Sequence, residues 1–209
     1  MQSTNLRVGI SGGTFDPIHY GHLIIAEQVR EAMALDVIIF IPAGTPPHKV
    51  ESGVTVPEKR YEMVNSAISS NPYFKISDME IERQGYTYTV DTLKQLRNVY
   101  GNDAELFFII GADVVAEFHT WKDYENIFGL CNFVAVMRPG FDKENIIKDI
   151  QNLEERFKAR IDMVDAPLID ISSTYVRERV AQGKTIRYLV PQCVERYIEK
   201  QGLYIGKGS

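Results

Sequence analysis

Cysteine is scarce in this sequence, and no apolar stretch approaches the length of a membrane span. The two cysteines, Cys131 and Cys193, lie far apart in apolar segments, which predicts two small core residues in a reducing compartment and not a disulfide framework. A spanning helix needs about 20 consecutive apolar residues, and the polar N-terminus lacks the shape of a signal peptide. We therefore expect a soluble, cytoplasmic protein without a membrane partner.

Positive charge is not in excess either. The chain has 23 Lys and Arg against 28 Asp and Glu, a net charge of −5, so we expect no nucleic-acid partner bound through a broad basic surface. A polyanionic ligand would have to be held by a local group of donors and cations. The glycine-rich stretch near the N-terminus also lacks both the Gly-Lys-Ser or Gly-Lys-Thr of a Walker loop and the GxGxxG spacing of a dinucleotide fingerprint.

What the sequence does contain is an alternation of apolar runs and helical periods along 209 residues. Near-continuous apolar runs are typical of parallel strands that helices cover on both faces. We therefore predict a single α/β domain over 1–209, a doubly wound, mostly parallel, Rossmann-like sheet with helices on both faces and a C-terminal helical part at about 172–205. The predicted strands are 6–11, 37–41, 106–110 and 133–137, with a shorter piece at 75–81, and the predicted helices are 22–33, 57–69, 90–100, 143–158, 173–182 and 191–200.

Helix-capping residues support some of these boundaries. Thr55 with Glu58 has the spacing of a capping box, Thr89 can cap the next helix, and Pro191 suits a first helical turn. Ligands of such folds bind outside the carboxyl ends of the strands, where the strand order reverses. Motifs that follow predicted strands are therefore the first candidates for a site.

The strongest motif follows the first predicted strand. Gly12 and Gly13 carry no side chains, so a phosphate can approach the main chain closely, and a helix start offers free N–H groups and a favourable dipole. His19 and His22 are spaced to lie near one another if the turn leads straight into the helix, where both can donate to phosphate oxygens. A lone histidine would be incidental, but these are two of the chain's four, so the sequence predicts a phosphate site.

A second motif opens the predicted helix at 173–182. Ser172, Ser173 and Thr174 supply three hydroxyls where capping needs only one, so the others are free to donate to phosphate. Arg177 lies one turn along on a nearby face, and its planar fork can donate two hydrogen bonds at once. The pattern therefore predicts a second group of phosphate-binding side chains.

The stretch from Gly12 to His22, with its HxGH motif, resembles the nucleotidyltransferase superfamily and in particular its bacterial nicotinate-mononucleotide adenylyltransferases. The second signature of that family, ISxTxxR, is matched by Ile171, Ser172, Thr174 and Arg177. The resemblance implies that ATP and nicotinate mononucleotide give deamido-NAD and pyrophosphate, a step of NAD biosynthesis. It implies catalytic roles for His19, His22 and Arg177, and ATP binding by Gly12, Gly13, Thr14, Phe15, His19, His22, Ser172, Ser173, Thr174 and Arg177.

The resemblance assigns four further residues to the mononucleotide. Lys49, on a proline-rich loop, would reach its phosphate, although an exposed lysine is the ordinary interpretation. Thr87 would help to bind the nicotinate carboxylate, partly through main chain. Asp113 matches a substrate-binding aspartate, although it also suits a helix cap, and Trp121 would stack on the pyridine ring, although a single tryptophan is more often a core residue.

Three further expectations concern Arg138, a metal ion and the oligomeric state. Arg138 either contacts ATP or pairs with a carboxylate. Mg²⁺ is expected to arrive on the phosphates of ATP, with no protein ligand proposed. A homo-oligomer is compatible with the sequence but is not indicated by it.

Three other functions share parts of these motifs or the same fold. A sister transferase acting on nicotinamide mononucleotide, phosphopantetheine or a cytidylyl acceptor would share the HxGH site, but the segments 46–49, 86–92 and 111–121 favour nicotinate. Two intact phosphate motifs argue against a non-catalytic nucleotide sensor. Class I tRNA synthetases share a HIGH-type motif, but this chain is too short for an anticodon domain and lacks a KMSKS sequence.

Overall fold

The computed structural model describes residues 5–45, 53–137, 143–167 and 169–206. Within these ranges six strands form one sheet, in the order β3-β2-β1-β4-β5-β6, and every neighbouring pair is parallel. This is the doubly wound, Rossmann-like sheet that the sequence predicts. The strands are β1 (Arg7–Gly13), β2 (Val37–Pro42), β3 (Phe74–Ile76), β4 (Glu105–Gly111), β5 (Asn132–Met137) and β6 (Ile161–Asp165).

Seven α-helices lie in the same ranges and cover both faces of the sheet. Buried residues of α1, α2, α6 and α7 pack on one face, whereas those of α3, α4 and α5 pack on the other. A 3-10 segment, Ala112–Thr120, follows β4 directly. The helices are α1 (Tyr20–Ala32), α2 (Pro57–Ile68), α3 (Thr89–Tyr100), α4 (Tyr124–Ile127), α5 (Lys143–Phe157), α6 (Ser173–Ala181) and α7 (Gln192–Gln201).

The apolar runs form strands because both faces of the sheet are buried. In β4, Leu106, Phe108 and Ile110 belong to one hydrophobic cluster, while Phe107 and Ile109 belong to the other. Successive side chains of a strand point to opposite faces, so a sheet covered on both sides requires an uninterrupted apolar run.

The strand order reverses between β1 and β4, which lie side by side at the centre of the sheet. Connections from β1 lead outward through β2 to β3, and those from β4 lead outward through β5 to β6. The carboxyl ends of the two central strands, at Gly13 and Gly111, therefore border the crevice where doubly wound folds bind ligands.

Several local predictions are wrong. β6 is missing from the prediction because it is an edge strand with exposed residues at Asp162, Met163 and Asp165, and it therefore lacks an apolar run. The 3-10 segment and α4 are also missing, and the piece at 75–81 is a strand only at Phe74–Ile76. Cys131 is buried as predicted, but Cys193 is exposed on α7.

Two predicted caps also fail. α2 begins after Val56, and the main chain of Thr55 instead binds Asp16 and Arg60. Tyr88 occupies the N-cap of α3, so Thr89 is its first residue. No helix in the described segments combines the length and the apolar composition needed to cross a bilayer.

Candidate active site

The turn after β1 brings the two motif histidines together. His19 is buried directly before α1, and its ring stacks on that of His22 with the centroids 3.7 Å apart. The His19 main-chain N–H donates to Nδ1 of His22 over 3.2 Å, which leaves Nε2 of His22 to carry the ring proton. The rings of Phe15 and His22 meet edge to face, with 5.0 Å between centroids. The predicted proximity of the histidines is confirmed.

Asp16, in the middle of this turn, is tied to the far end of the chain. Its Oδ1 accepts a 2.6 Å hydrogen bond from the hydroxyl of Tyr204, and its Oδ2 accepts one from the Thr55 N–H. Burial raises the pKa of Tyr204, and the hydrogen bond to Asp16 raises it further. The tyrosine therefore remains a protonated donor at neutral pH.

The second motif contacts the same turn. At the start of α6, the hydroxyl of Ser172 caps the helix by accepting from the Tyr175 N–H, as one hydroxyl of the three was expected to do. The hydroxyl of Ser173 donates to the carbonyl of Pro17 at 2.9 Å, so in this state its proton is not available to a phosphate. The two sequence motifs, separated by about 160 residues in the chain, therefore form one structural unit.

Arg177 strengthens this connection. Its Nη1 donates to the main-chain carbonyl of Asp16 over 2.7 Å, and its Nη2 lies 3.3 Å from the hydroxyl of Thr174. Arg177 is only partly buried, so its remaining N–H groups can reach a ligand beside the turn.

A cavity of about 390 Å³ opens at the carboxyl ends of the central strands. Its walls come from the ends of β1 and β4, from the end of β2, and from the residues that lead into α3. Gly12, Gly13, Thr14 and Trp121 line it, whereas neither motif histidine is part of its wall. The Trp121 ring is partly buried and meets Phe118 edge to face, with 5.2 Å between centroids, so it is fixed in place while still bordering the cavity.

Thr87 also lines the cavity, but its main-chain role is not the predicted one. Its N–H donates to the carbonyl of Thr45 over 3.1 Å and is not available to a carboxylate. Its buried hydroxyl makes no hydrogen bond of good geometry, although it lies close enough to Glu80 to affect that carboxyl. Tyr88 and Thr89 line the same cavity at the start of α3, where the first N–H groups of a helix have no partner within the helix.

Two charged residues of the cavity wall escaped sequence analysis. The first is Glu80, and burial raises the pKa of its carboxyl group. The hydroxyl of Thr92 donates to this carboxyl over 2.6 Å and partly offsets the rise in pKa. The ammonium group of Lys122 lies 4.1 Å from the centre of the Tyr88 ring and 3.8 Å from a carboxylate oxygen of Asp91. No local pattern marks Glu80, whereas the position of Lys122 directly after Trp121 is a signal that could have found it.

The other predicted residues fall into two groups. Asp113 is exposed at the start of the 3-10 segment and does not line the cavity, although its carboxylate occupies the space that a Cβ atom at position 111 would need. Lys49 and Arg138 lie outside the described residues. Across the described ranges no three His, Cys, Asp or Glu side chains are grouped so that they could hold a metal ion.

A family model described as cytidylyltransferase-like matches residues 10–179, which include both motifs. The chain belongs to the cytidylyltransferase-like family. The match extends from the first strand of the sheet into α6, so it covers the whole of the turn, the cavity and the second motif.

Curated relatives match nearly the full length of the chain. A "Probable nicotinate-nucleotide adenylyltransferase" of Thermoanaerobacter sp. (strain X514) is 50% identical over 95% of this chain and 94% of its own length. One of Corynebacterium glutamicum is 44% identical over 97% of this chain and 90% of its own. The resemblance drawn from the HxGH and ISxTxxR motifs is therefore confirmed.

Solved structures support the fold independently. A Plasmodium falciparum nicotinic acid mononucleotide adenylyltransferase, complexed with NaAD, superimposes with a TM-score of 0.79 over 96% of this chain and 98% of its own, at 21% identity. A structure of the same enzyme complexed with APC gives a TM-score of 0.76. At this low identity the likeness bears on the fold, and it agrees with the cytidylyltransferase-like architecture described above.

Proposed function

We propose that this protein transfers the adenylyl group of ATP to nicotinate mononucleotide, giving deamido-NAD and pyrophosphate. The observation that carries the proposal is that Arg177 and Ser173 of the second motif bind the turn of the first motif. This turn lies beside a cavity lined by Trp121, the only tryptophan in the sequence. The names of the full-length relatives at 50% identity support the choice of substrate.

The reaction needs positioning more than covalent chemistry. A phosphate oxygen of the mononucleotide attacks the α-phosphorus of ATP, the bond from that phosphorus to the β-bridging oxygen breaks, and pyrophosphate leaves with the electron pair. The substrate is itself the nucleophile, so in-line placement and neutralisation of charge suffice. In this proposal His19, His22 and the main chain from Gly12 to Phe15 hold the α- and β-phosphates, while Arg177 with Ser172 and Thr174 holds the departing pyrophosphate.

Mg²⁺ fits this arrangement only as a partner of the phosphates. The described residues offer no group of three carboxylate, histidine or cysteine ligands, and Mg²⁺ commonly binds substrate phosphates while keeping several waters. When bound there it would neutralise part of the charge on the triphosphate. We accordingly assign it no protein ligand.

The acceptor is proposed to occupy the cavity with its pyridine ring on Trp121. The N–H groups of Tyr88 and Thr89 at the start of α3 suit a carboxylate, and the ammonium of Lys122 lies in the same wall. Because burial raises the pKa of Glu80, that side chain repels an incoming carboxylate less than an ordinary glutamate would. These groups together favour the acid over the amide.

On the basis of the sequence we also propose further contacts with the acceptor and with ATP. Lys49 would bind the phosphate of the mononucleotide, Asp113 a ribose hydroxyl, and Arg138 the phosphates of ATP. The hydroxyl of Thr87 would contact the pyridine substituent in place of its engaged N–H.

The test is a pyrophosphate-release assay of the purified protein with Mg·ATP and a panel of acceptors, with products identified by chromatography. We expect turnover with nicotinate mononucleotide, and a specificity constant for the amide lower by about ten- to hundredfold, the penalty of one unsatisfied buried group. A His22→Ala variant is the matched inactive control. Equal specificity constants would remove the nicotinate assignment, and no turnover with any mononucleotide would remove the adenylyl-transfer proposal.

A further inference from the structure

Arg60 of α2 is a fully buried cation whose hydrogen bonds go to main-chain carbonyls. Its side chain is 1% exposed. Nε donates to Thr55 over 2.8 Å and Nη1 to Thr14 over 2.7 Å, while Nη2 donates to both Ala43 and Gly44. Arg60 is not among the residues predicted from the sequence, although a charge four positions before the buried Val64, on an otherwise apolar helix face, is a visible signal.

The position of the four carbonyls shows what the cation holds together. Thr14 lies in the turn after β1, Ala43 and Gly44 follow β2, and Thr55 precedes α2. Thr14 and Ala43 both line the cavity. In the described ranges no carboxylate lies within ion-pair distance of Arg60. The direct partners of its charge are therefore the main-chain carbonyls around the candidate site, while the Asp16 carboxylate acts on it from a longer distance.

The bond to Thr14 has a geometric consequence for the next residue. In a trans peptide the C=O and the following N–H point in opposite directions. Because Arg60 draws the Thr14 carbonyl toward the core, the N–H of Phe15 is turned away from the core. That N–H has no hydrogen-bond acceptor among the described residues.

The conformation of Phe15 needs such a restraint. Its φ of 49° lies in the left-handed region, which a bulky residue adopts only when the surroundings over-determine it. The Phe15 ring is buried against Phe40 and His22, and Arg60 holds the preceding carbonyl. Backbone held in this way at a functional turn is typical of a preorganised site.

We propose that Arg60 is a positioning residue for adenylyl transfer, because it orients the Thr14–Phe15 peptide so that the Phe15 N–H donates to a phosphate of the nucleotide. The assignment of the ligand phosphate rests on the proposed function. Lysine cannot replace Arg60 here, because one ammonium cannot reproduce the fork that spans four carbonyls.

The test compares Arg60→Lys with Arg97→Lys. Arg97 is a matched control, because its guanidinium also donates to three main-chain carbonyls, those of Leu130, Gly101 and Ala104, at the opposite end of the sheet from the cavity. We expect both variants to lower Tm. At a temperature well below both transitions, Arg60→Lys lowers kcat by about ten- to hundredfold, the cost of a misplaced contact, with a smaller change in KM for ATP, whereas Arg97→Lys keeps the kcat of the wild type.

Equal effects of the two variants on kcat, or a kcat of Arg60→Lys within twofold of the wild type, would overturn the proposal. A wild type that makes no deamido-NAD is a different result, because it removes the proposed function before the variants are compared.

A second measurement on the wild type does not depend on whether Arg60→Lys folds or on which acceptor is used. Titration with inorganic pyrophosphate, followed by ¹⁵N amide resonances, should shift the Phe15 signal and leave that of Val99 unchanged. A Phe15 amide that does not move at saturating pyrophosphate would contradict the proposed contact. If the Arg60→Lys variant folds, its Phe15 signal should shift less at the same pyrophosphate concentration.

Discussion

At the scale of single residues, Trp121 is the side chain on which the acceptor assignment can be tested most directly. It borders the cavity while Phe118 and Phe108 fix its ring edge to face, an arrangement that suits stacking on a flat heterocycle. Trp121→Ala should raise KM for nicotinate mononucleotide by at least tenfold and change KM for ATP by less than threefold. A tenfold rise corresponds to about 1.4 kcal/mol, which lies within the range of about 0.5–1.5 kcal/mol for one lost aromatic contact.

Trp121→Phe is the control, since phenylalanine keeps an aromatic face at the same place. It should recover most of the affinity for the mononucleotide. Steady-state kinetics with each substrate varied in turn measure both constants, and an equal rise in the two KM values would contradict the stacking role.

Glu80 provides a prediction about stability and pH. Because its pKa is raised in the folded state, chiefly by burial, the unfolded chain loses this proton at a lower pH than the folded chain. The wild type therefore loses stability as the pH rises from the ordinary glutamate pKa of about 4.3 through the raised folded value. Glu80→Gln cannot ionise, and its amide oxygen can still accept from Thr92.

We therefore expect Glu80→Gln to have a higher Tm than the wild type at neutral pH, with a difference that shrinks as the pH falls to 4. Thermal unfolding in a series of buffers measures this difference. Glu82→Gln is the matched control, because Glu82 is exposed two residues away, and it should leave Tm unchanged. A Glu80→Gln difference that is constant with pH would contradict the inference.

At the scale of elements, α6 is joined to the turn after β1 chiefly by Arg177 and Ser173. Arg177→Lys keeps the charge but loses the planar fork that reaches both Asp16 and Thr174. Removing one preorganised donor to a transition state costs on the order of a hundredfold in kcat. We expect a kcat loss of that order at saturating ATP, with little change in Tm.

Arg179 on the same helix offers the matched control. It donates to the carbonyl of Thr185 and to the hydroxyl of Tyr175, and within the described residues it makes no hydrogen bond to the turn. Arg179→Lys should therefore keep the kcat of the wild type. If the kcat of Arg177→Lys also equalled that of the wild type, the second motif would be chiefly a helix cap.

At the scale of the whole molecule, the hydrogen bond from Tyr204 to Asp16 joins positions 188 residues apart. Tyr204→Phe leaves a buried carboxylate with one donor fewer, which should cost about 1.5–3 kcal/mol of unfolding free energy. For a protein of this size the fall in Tm is about 3–12 °C.

Tyr188→Phe serves as the control, since Tyr188 is 81% exposed and its hydroxyl should contribute nothing measurable. Chemical denaturation and calorimetry of both variants provide the two quantities. A Tyr204→Phe protein as stable as the wild type would show that the C-terminal segment is not part of the folded unit that holds the turn.

Some properties of the whole molecule remain predictions from the sequence. These are the single domain over 1–209, the cytoplasmic location, a homo-oligomer and the absence of a nucleic-acid partner. The roles of Lys49 and Arg138 also stay predictions, because both lie outside the described residues.

The sequence by itself determined the fold class and the place of the candidate site, because both depend on local patterns. Apolar runs separated by helical periods specify buried parallel strands, and the His19–His22 spacing specifies two neighbouring rings once a helix begins between them. The errors occur where local pattern is weak. The edge strand β6 is held by its pairing with β5, and α2 begins after a residue that is not a capping type.

Tertiary structure decided which groups surround the site and which donors remain available. Arg60 meets Thr14 across 46 positions, and Tyr204 meets Asp16 across 188; neither pairing leaves a periodic trace in the sequence. The engaged N–H of Thr87 and the raised pKa of Glu80 likewise arise from neighbours brought together by the sheet. Burial and hydrogen-bond partners depend on distances in space. Those distances are set by the folded sheet and cannot be read from the separation of two residues along the chain.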